Sequence, residues 1–304
     1  MAMTHLDQFP EEGFELGAFA PRVGPFPMAE FLRAWWEEFQ PDARVMIISS
    51  GGGALPLMES AGVIQFMGDS DLTDYHSPLG QDVQGPVDVL ATMIDRSTSL
   101  DLDSLPGEAA TAIAGGLAST GLRPKTSEQT VARVLQLPSS IDDYHLLIGK
   151  KERHELRRKR RRYEEQVGPA TLRTDIGTGF GFDEFVRLHR LAPGDKGTFM
   201  TGERHRFFSR LAGQDGWRVD YLENDGAATA CLFGWTDGSD YYLYNSSFDP
   251  AFHSASPGQV LLAGMIDHAI TEGWGVFDFL KGDEGYKARL GAIPRQLFRV
   301  EASR

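Results

Sequence analysis

A single cysteine, Cys231, stands in a chain of 304 residues. Disulfide scaffolds, zinc ribbons and CxxC redox centres need cysteines in sets, so none is available within one chain. Long apolar runs are missing too. No stretch nears the about 18 residues of a membrane span, and Met1-Ala2-Met3-Thr4-His5 lacks the basic-then-apolar order of a secretion signal. The expectation is a cytoplasmic chain without a membrane span. The eight histidines form no HExxH or other ligand spacing, so no metal is expected. Serine never occurs in GxSxG, which leaves a hydrolase triad without support. Gly51-Gly52-Gly53 lacks the Gly-Lys-Ser/Thr ending of a P-loop, and Gly177-Thr178-Gly179-Phe180-Gly181 runs GxGxG rather than GxGxxG. Both read as turns.

What is present points to a globular protein. Hydrophobic residues make up 41% and charged residues 24%, which suits one large domain or two of about 150 residues. Acidic residues outnumber basic ones, 43 to 30, and the net charge of −13 opposes wholesale binding of nucleic acid or an anionic membrane. The excess is uneven. Residues 150–162 hold Lys150, Lys151, Arg153, Arg157, Arg158, Lys159, Arg160, Arg161 and Arg162 against only Glu152 and Glu155. Such a segment either pairs with acids elsewhere on a solvated surface or faces a phosphate-rich ligand.

The spacing of Phe31, Leu32, Trp35, Trp36 and Phe39 predicts a helix over 28–39. Strands follow over 44–49 and 62–67, then helices over 86–95 and 106–118 and a strand over 131–137. One long helix is expected over 141–167, capped by Ser140 or Asp143 and stopped by Gly168-Pro169. Beyond it come a strand at 170–174 and helices at 182–191 and 202–211. Strands at 218–223, 227–235 and 240–246 are joined by the turns Asn224-Asp225-Gly226 and Asp237-Gly238. A helix at 258–271, a strand at 276–280, a short helix near 284–290 and a strand near 297–301 finish the chain. The pattern is α+β, or mixed α/β, with domains at 1–140 and 169–304 joined by a basic helix at 141–168.

The most informative stretch is 241–291. Ser256 stands at an N-cap position, Pro257 at the first helical position, and Gln259 completes a capping box. Gly258 removes a side chain beside the first-turn amides, where the helix dipole favours a phosphate. Equally, Ser256 and Gln259 satisfy those amides themselves and nothing else binds.

Tyr244-Asn245-Ser246-Ser247-Phe248-Asp249-Pro250, Ser256-Pro257-Gly258, Phe277-Asp278-Phe279-Leu280-Lys281-Gly282 and Glu284-Gly285-Tyr286-Lys287 resemble the GNAT acyltransferases. Within them they are most similar to the branch grouped with polysaccharide-biosynthesis acetyltransferases and FemAB-type peptidoglycan aminoacyltransferases. The resemblance covers roughly 150–290, with a weaker echo at 25–36, 55–57 and 68–75. It implies tandem GNAT-like units, each a mixed, largely antiparallel sheet flanked by helices. It also implies acyl-CoA, such as acetyl-CoA, as co-substrate, and direct attack by an amine or hydroxyl of a sugar or cell-envelope precursor. Two alternatives stand beside it: a FemAB-like aminoacyltransferase using aminoacyl-tRNA, and a non-catalytic binding protein on the same fold.

The resemblance assigns roles residue by residue. Ser256, Gly258 and Gln259 would hold the donor diphosphate. There the family pattern Gln/Arg-x-x-Gly-x-Gly/Ala is altered by His253 in its first slot and Ser256 in its first glycine slot. Amides around Asn245 and Ser246 would hold the oxyanion. Tyr286 would protonate the leaving thiolate, although Gly291 follows it one residue later than in the family; otherwise it is a core tyrosine. Asp278, its pKa raised by burial, or Glu284 would be the base, unless Asp278 is a paired structural ion. Lys287 would bind a phosphate or an acidic acceptor, or else lie in solvent, and His189 would line the acceptor pocket.

Overall fold

The computed structural model describes residues 2–6 and 16–304, which leaves Met1 of the amino-terminal reading outside the described residues. The chain divides into two compact units, Met1–Ala132 with Arg295–Arg304, and Arg133–Pro294.

The first unit begins with β1 (Ala2–Leu6), α1 (Ala29–Phe39), β2 (Arg44–Ser50), β3 (Gly53–Ser60) and β4 (Val63–Phe66). These strands pair antiparallel in that order, and Gly51 and Gly52, both at positive φ, make the expected turn between β2 and β3. The short β5 (Leu79–Gly80) pairs with β3 and leads into α2 (Gln84–Met93). Then come β6 (Ser99–Pro106), α3 (Gly107–Ser119) and β7 (Lys125–Gln136), whose residues beyond Ala132 belong to the second unit. β6 lies parallel to β4.

The second unit opens with two helices, α4 (Ile141–Leu147) and α5 (Gly149–Gln166). The single long helix expected over 141–167 is broken because Gly149 takes φ +74°. Ser140 caps α4, its hydroxyl accepting the Asp143 N–H at 3.1 Å. Next come β8 (Leu172–Ile176), α6 (Phe180–Leu191), α7 (Asp195–Phe199), α8 (Gly202–Ala212), β9 (Trp217–Asn224), β10 (Ala227–Thr236) and β11 (Asp240–Phe248). A 3₁₀ turn at Pro250–Ala255 leads to α9 (Pro257–Thr271), β12 (Val276–Lys281) and α10 (Gly285–Arg289). β8 to β11 form an antiparallel meander, and β12 joins β11 in parallel. α9 buries Leu261, Leu262, Met265, Ile266, Ala269 and Ile270 against Leu232, Leu243, Phe277 and Phe279 of the sheet. At about 25 cal/mol per Å² of apolar surface, this face anchors the helix that carries the candidate diphosphate site.

The chain closes with β13 (Ile293–Ala302), which returns to the first unit. It pairs antiparallel with β6 from Leu297↔Pro106 to Ala302↔Leu100. Two boundaries therefore differ from the sequence expectation: the last strand belongs to the first unit, and the basic helix packs inside the second unit, where it lies against α9 and buries its own Tyr163 in the core. The architecture is α+β, with mixed parallel and antiparallel strand pairing in each unit and helices flanking the strands.

Candidate active site

β11 and β12 pair in parallel for only three rungs, ending at Tyr242↔Asp278, and then part. A bulge drives the parting. Phe233 of β10 faces Asn245 and Gly234 faces Leu243, so Tyr244 is an extra residue on β11. Tyr244 turns to the far face, where it stacks on Phe208 at 5.4 Å. Gly234 has no alternative here: a Cβ would meet the Tyr241 hydroxyl at 2.3 Å.

The gap is a cavity of about 560 Å³. Leu243, Ser246, Ser247 and Phe248 of β11 form one wall, and Glu284 and Tyr286 after β12 form the other. Ser256, Pro257, Gly258, Gln259 and Leu262 close it at the start of α9, with His253 beside them and Lys159 reaching in from α5. A cavity of this size, with apolar walls and a few converging polar groups, suits a small ligand or the reactive arm of a larger one.

The start of α9 is not the capping box the sequence suggested. Ser256 lies in the left-handed region, at φ 58° and ψ 48°, and its side chain makes no cap hydrogen bond. A residue with a Cβ is strained there by about 1–2 kcal/mol, which explains physically why the family pattern has glycine in this slot. The Ser256 hydroxyl instead accepts from Arg162 Nη2 at 2.9 Å, and the Gln259 carboxamide oxygen accepts from Lys159 Nζ. Arg162 Nε is buried without a hydrogen-bond partner. The Gly258 N–H likewise has no partner among the described residues. A Cβ at Gly258 would approach Phe248 no closer than 3.7 Å, so the glycine leaves its amide open to the cavity. Two cations from α5 and one free amide thus meet at a helix start, an arrangement that fits a phosphate or diphosphate.

Tyr286 lines the cavity and packs edge-on against Phe279 at 6.4 Å. Burial, assisted by Glu284, pushes its phenol up to about 12. The group stays protonated at neutral pH and donates a hydrogen bond more readily than it releases a proton. Its loop is held by Lys287, whose buried Nζ donates to Lys281 O at 2.8 Å and Gly282 O at 3.2 Å and pairs with Glu284 at 2.9 Å. With its three donors taken, Lys287 has none left for a phosphate and is a positioning residue. Glu284 is largely exposed, with 57% of its side chain accessible, and lies at the cavity edge.

Asp278 is fully buried, but it does not line the cavity. Its neighbours Phe277 and Phe279 face α9, so strand alternation turns Asp278 to the other side. Its carboxylate accepts the Leu280 N–H at 2.8 Å and so holds the left-handed bend at Leu280, φ 58°. Asn245 is also outside the lining; its side-chain oxygen accepts the Ser246 N–H at 2.7 Å, which occupies one of the two amides expected to hold an oxyanion. His189 is buried between Phe185 and Phe199 and does not reach the cavity.

The structure therefore brings Ser246, Ser256, Gly258, Gln259, Glu284 and Tyr286 together and leaves Asn245, Asp278 and Lys287 behind the wall. Lys159 and Arg162 stand out in the sequence only as part of the basic run, His253 only as a departure from the family pattern, and Phe248 only within the segment that carries the resemblance. Helical spacing places Lys159 and Arg162 on one face, a usable signal once α9 is known to lie against it. Among the described residues no group of three or more His, Cys, Asp or Glu is placed to hold a metal, and no helix is long and apolar enough to cross a membrane.

Residues 150–288 match the family model of the acetyltransferase (GNAT) domain. The second unit carries a transferase domain. Solved structures extend the likeness in fold to nearly the whole chain. L-PGS from Bacillus licheniformis superposes with a TM-score of 0.61 at 13% identity, covering 93% of this chain and 94% of that one. FemX gives 0.55 at 11%, covering 88% and 90%. A tandem GNAT protein from the clavulanic acid biosynthesis pathway gives 0.51 at 16%, covering 93% and 90%. No curated protein matches the chain by sequence.

Proposed function

We propose that the second unit transfers an acyl group, such as acetyl, from acyl-CoA to an amine or hydroxyl by direct attack on the thioester. The observation that carries this reading is the parted β11–β12 pair, which opens onto the uncovered Gly258 amide beside Lys159 and Arg162. The donor diphosphate would sit at the start of α9, held by that amide and the two α5 cations. The acyl arm would enter between the strands near Ser246, where its carbonyl oxygen would replace Asn245 Oδ1 as the acceptor of the Ser246 N–H. As the new C–N or C–O bond forms, the C–S bond breaks. Tyr286, protonated at neutral pH, would donate a hydrogen bond to the leaving sulfur. Glu284, at the open edge, is the candidate to take the proton that the nucleophile loses. The acceptor class offered by the resemblance is an amino sugar or cell-envelope precursor, met in the cytoplasm where acyl-CoA is made.

Thiol release from acetyl-CoA, followed across amino-sugar acceptors, tests this reading. Turnover that falls on Arg162→Ala supports it. Failure of the protein to bind acyl-CoA at any concentration near 1 mM, about 4 kcal/mol of binding, sinks it.

One observation favours a second reading, in which the donor is an aminoacyl-tRNA. Lys150, Lys151, Arg157 and Arg161 of α5 are exposed, and the fold is shared with FemX. Under this reading the protein binds transfer RNA with a steep salt dependence that flattens when Arg157 and Arg161 are neutralised. Thiol release and aminoacyl transfer, assayed side by side, separate the two donors.

A further inference from the structure

The face that α5 turns toward α9 is wrongly composed for a simple packing helix. Arg153, Leu156, Arg157 and Arg160 follow the i, i+3, i+4, i+7 spacing that normally carries an apolar stripe, yet three of the four are arginines. All four line a second cavity of about 210 Å³, distinct in its lining from the one between β11 and β12. Its floor is apolar, with Leu172, Leu222 and Leu261 from the strands and α9. Asp267 is the one carboxylate in the lining, against three guanidinium groups.

The arginines are under-used. Arg160 pairs with Glu164 at 3.0 Å, and Arg153 donates from Nη1 to His145 O at 3.3 Å. Arg153 Nε, however, is buried without a hydrogen-bond partner. Arg157 makes no ion pair or hydrogen bond among the described residues. A buried guanidinium donor lacking an acceptor is unfavourable, and guanidinium geometry matches carboxylates and phosphates.

We infer that this cavity is a binding site for a small amphipathic anion, a carboxylate or phosphate monoester on a short apolar body. The body lies on the leucine floor, and the head meets Arg153 and Arg157 at the rim. The volume corresponds to about seven waters and suits a chain of about six carbons. The inference is independent of the acyl donor, because none of these residues lines the cavity between the strands.

Calorimetric titration of the full chain with hexyl phosphate, hexanoate, inorganic phosphate, hexanol and hexyltrimethylammonium tests it. Saturable binding of hexyl phosphate or hexanoate is expected, at least about tenfold tighter than the other three probes. The tighter of the two anions identifies the head. Gly264→Leu fills the cavity from α9, where a Cβ meets nothing within 4 Å, and should abolish binding while the thermal unfolding temperature holds. Arg157→Gln, at an exposed and unpaired position, should weaken binding about tenfold and carries the test alone if the leucine variant does not fold. Equal binding of hexanol or of inorganic phosphate overturns the inference. So does the absence of saturation, or binding unchanged in Arg157→Gln.

Discussion

Each unit contains a strand, a helix and a second strand parallel to the first, and in each the parallel pair parts after two or three rungs. In the first unit β4 and β6 pair at Val63↔Ser99 and Ile64↔Leu100 and then separate. The chain's own residues take up the space. Phe66 at the end of β4 stacks on His76 at 5.3 Å, and the His76 N–H donates to Ser104 O on β6 at 3.0 Å. Thr73, Tyr75 and Ser77 around it are all buried. At the start of α2 the Gly85 N–H donates to the Asp82 carboxylate at 3.2 Å, an internal anion at a helix amino end. In the second unit the matching gap is open, and the matching amide at Gly258 has no partner among the described residues. One backbone device thus gives a filled core in one unit and a candidate reaction cleft in the other. What decides between them is the side chains that follow the parting strands.

This contrast can be broken or sharpened by experiment. The largest expected effect is on Tyr286→Phe, which removes the phenol from the open cleft and should lower kcat about 10²-fold in the transfer assay. Because burial raises this phenol to about 12, its proton is retained across the working range. The alkaline limb of the kcat profile should therefore lie near pH 12, and a limb near pH 10, the value of a free tyrosine, would remove Tyr286 from the chemistry. Next, His76→Ala empties the filled gap and should cost about 2–3 kcal/mol in denaturant unfolding without changing donor affinity. A stability equal to that of the parent would show that the segment does not hold the strands. Gly258→Ala covers the free amide without a clash, and the donor Kd should rise about tenfold by titration. The smallest effect is on Asp82→Asn, which weakens the internal anion at α2 by about 1 kcal/mol or less, read as a small drop in unfolding temperature.

Much of the fold could be read from periodicity because its signals are local. The apolar face of α9, the hairpin turns at Asn224-Asp225-Gly226 and Asp237-Gly238, and the stop at Gly168-Pro169 each act within a few residues. β6 was missed although Leu100, Leu102 and Leu105 are buried in a strand pattern, because Asp101, Asp103 and Ser104 between them suppress strand propensity. The site was legible in part. The run from Phe277 to Lys287 contains Glu284 and Tyr286, which line the candidate cavity. Asp278 and Lys287 are attractive as isolated chemistry, yet one faces the wrong side of β12 and the other is fully engaged with its own loop.

From the sequence alone follow the α+β class, the helix that begins after Ser256 and the concentration of positive charge in α5, since these depend on neighbours along the chain. Only the tertiary structure decided that β13 pairs with β6 of the first unit, that Lys159 and Arg162 reach the start of α9, and that one gap is filled while the other is open. Each of these joins residues 94 to 202 positions apart or depends on which face a strand presents, and no local spacing encodes such contacts.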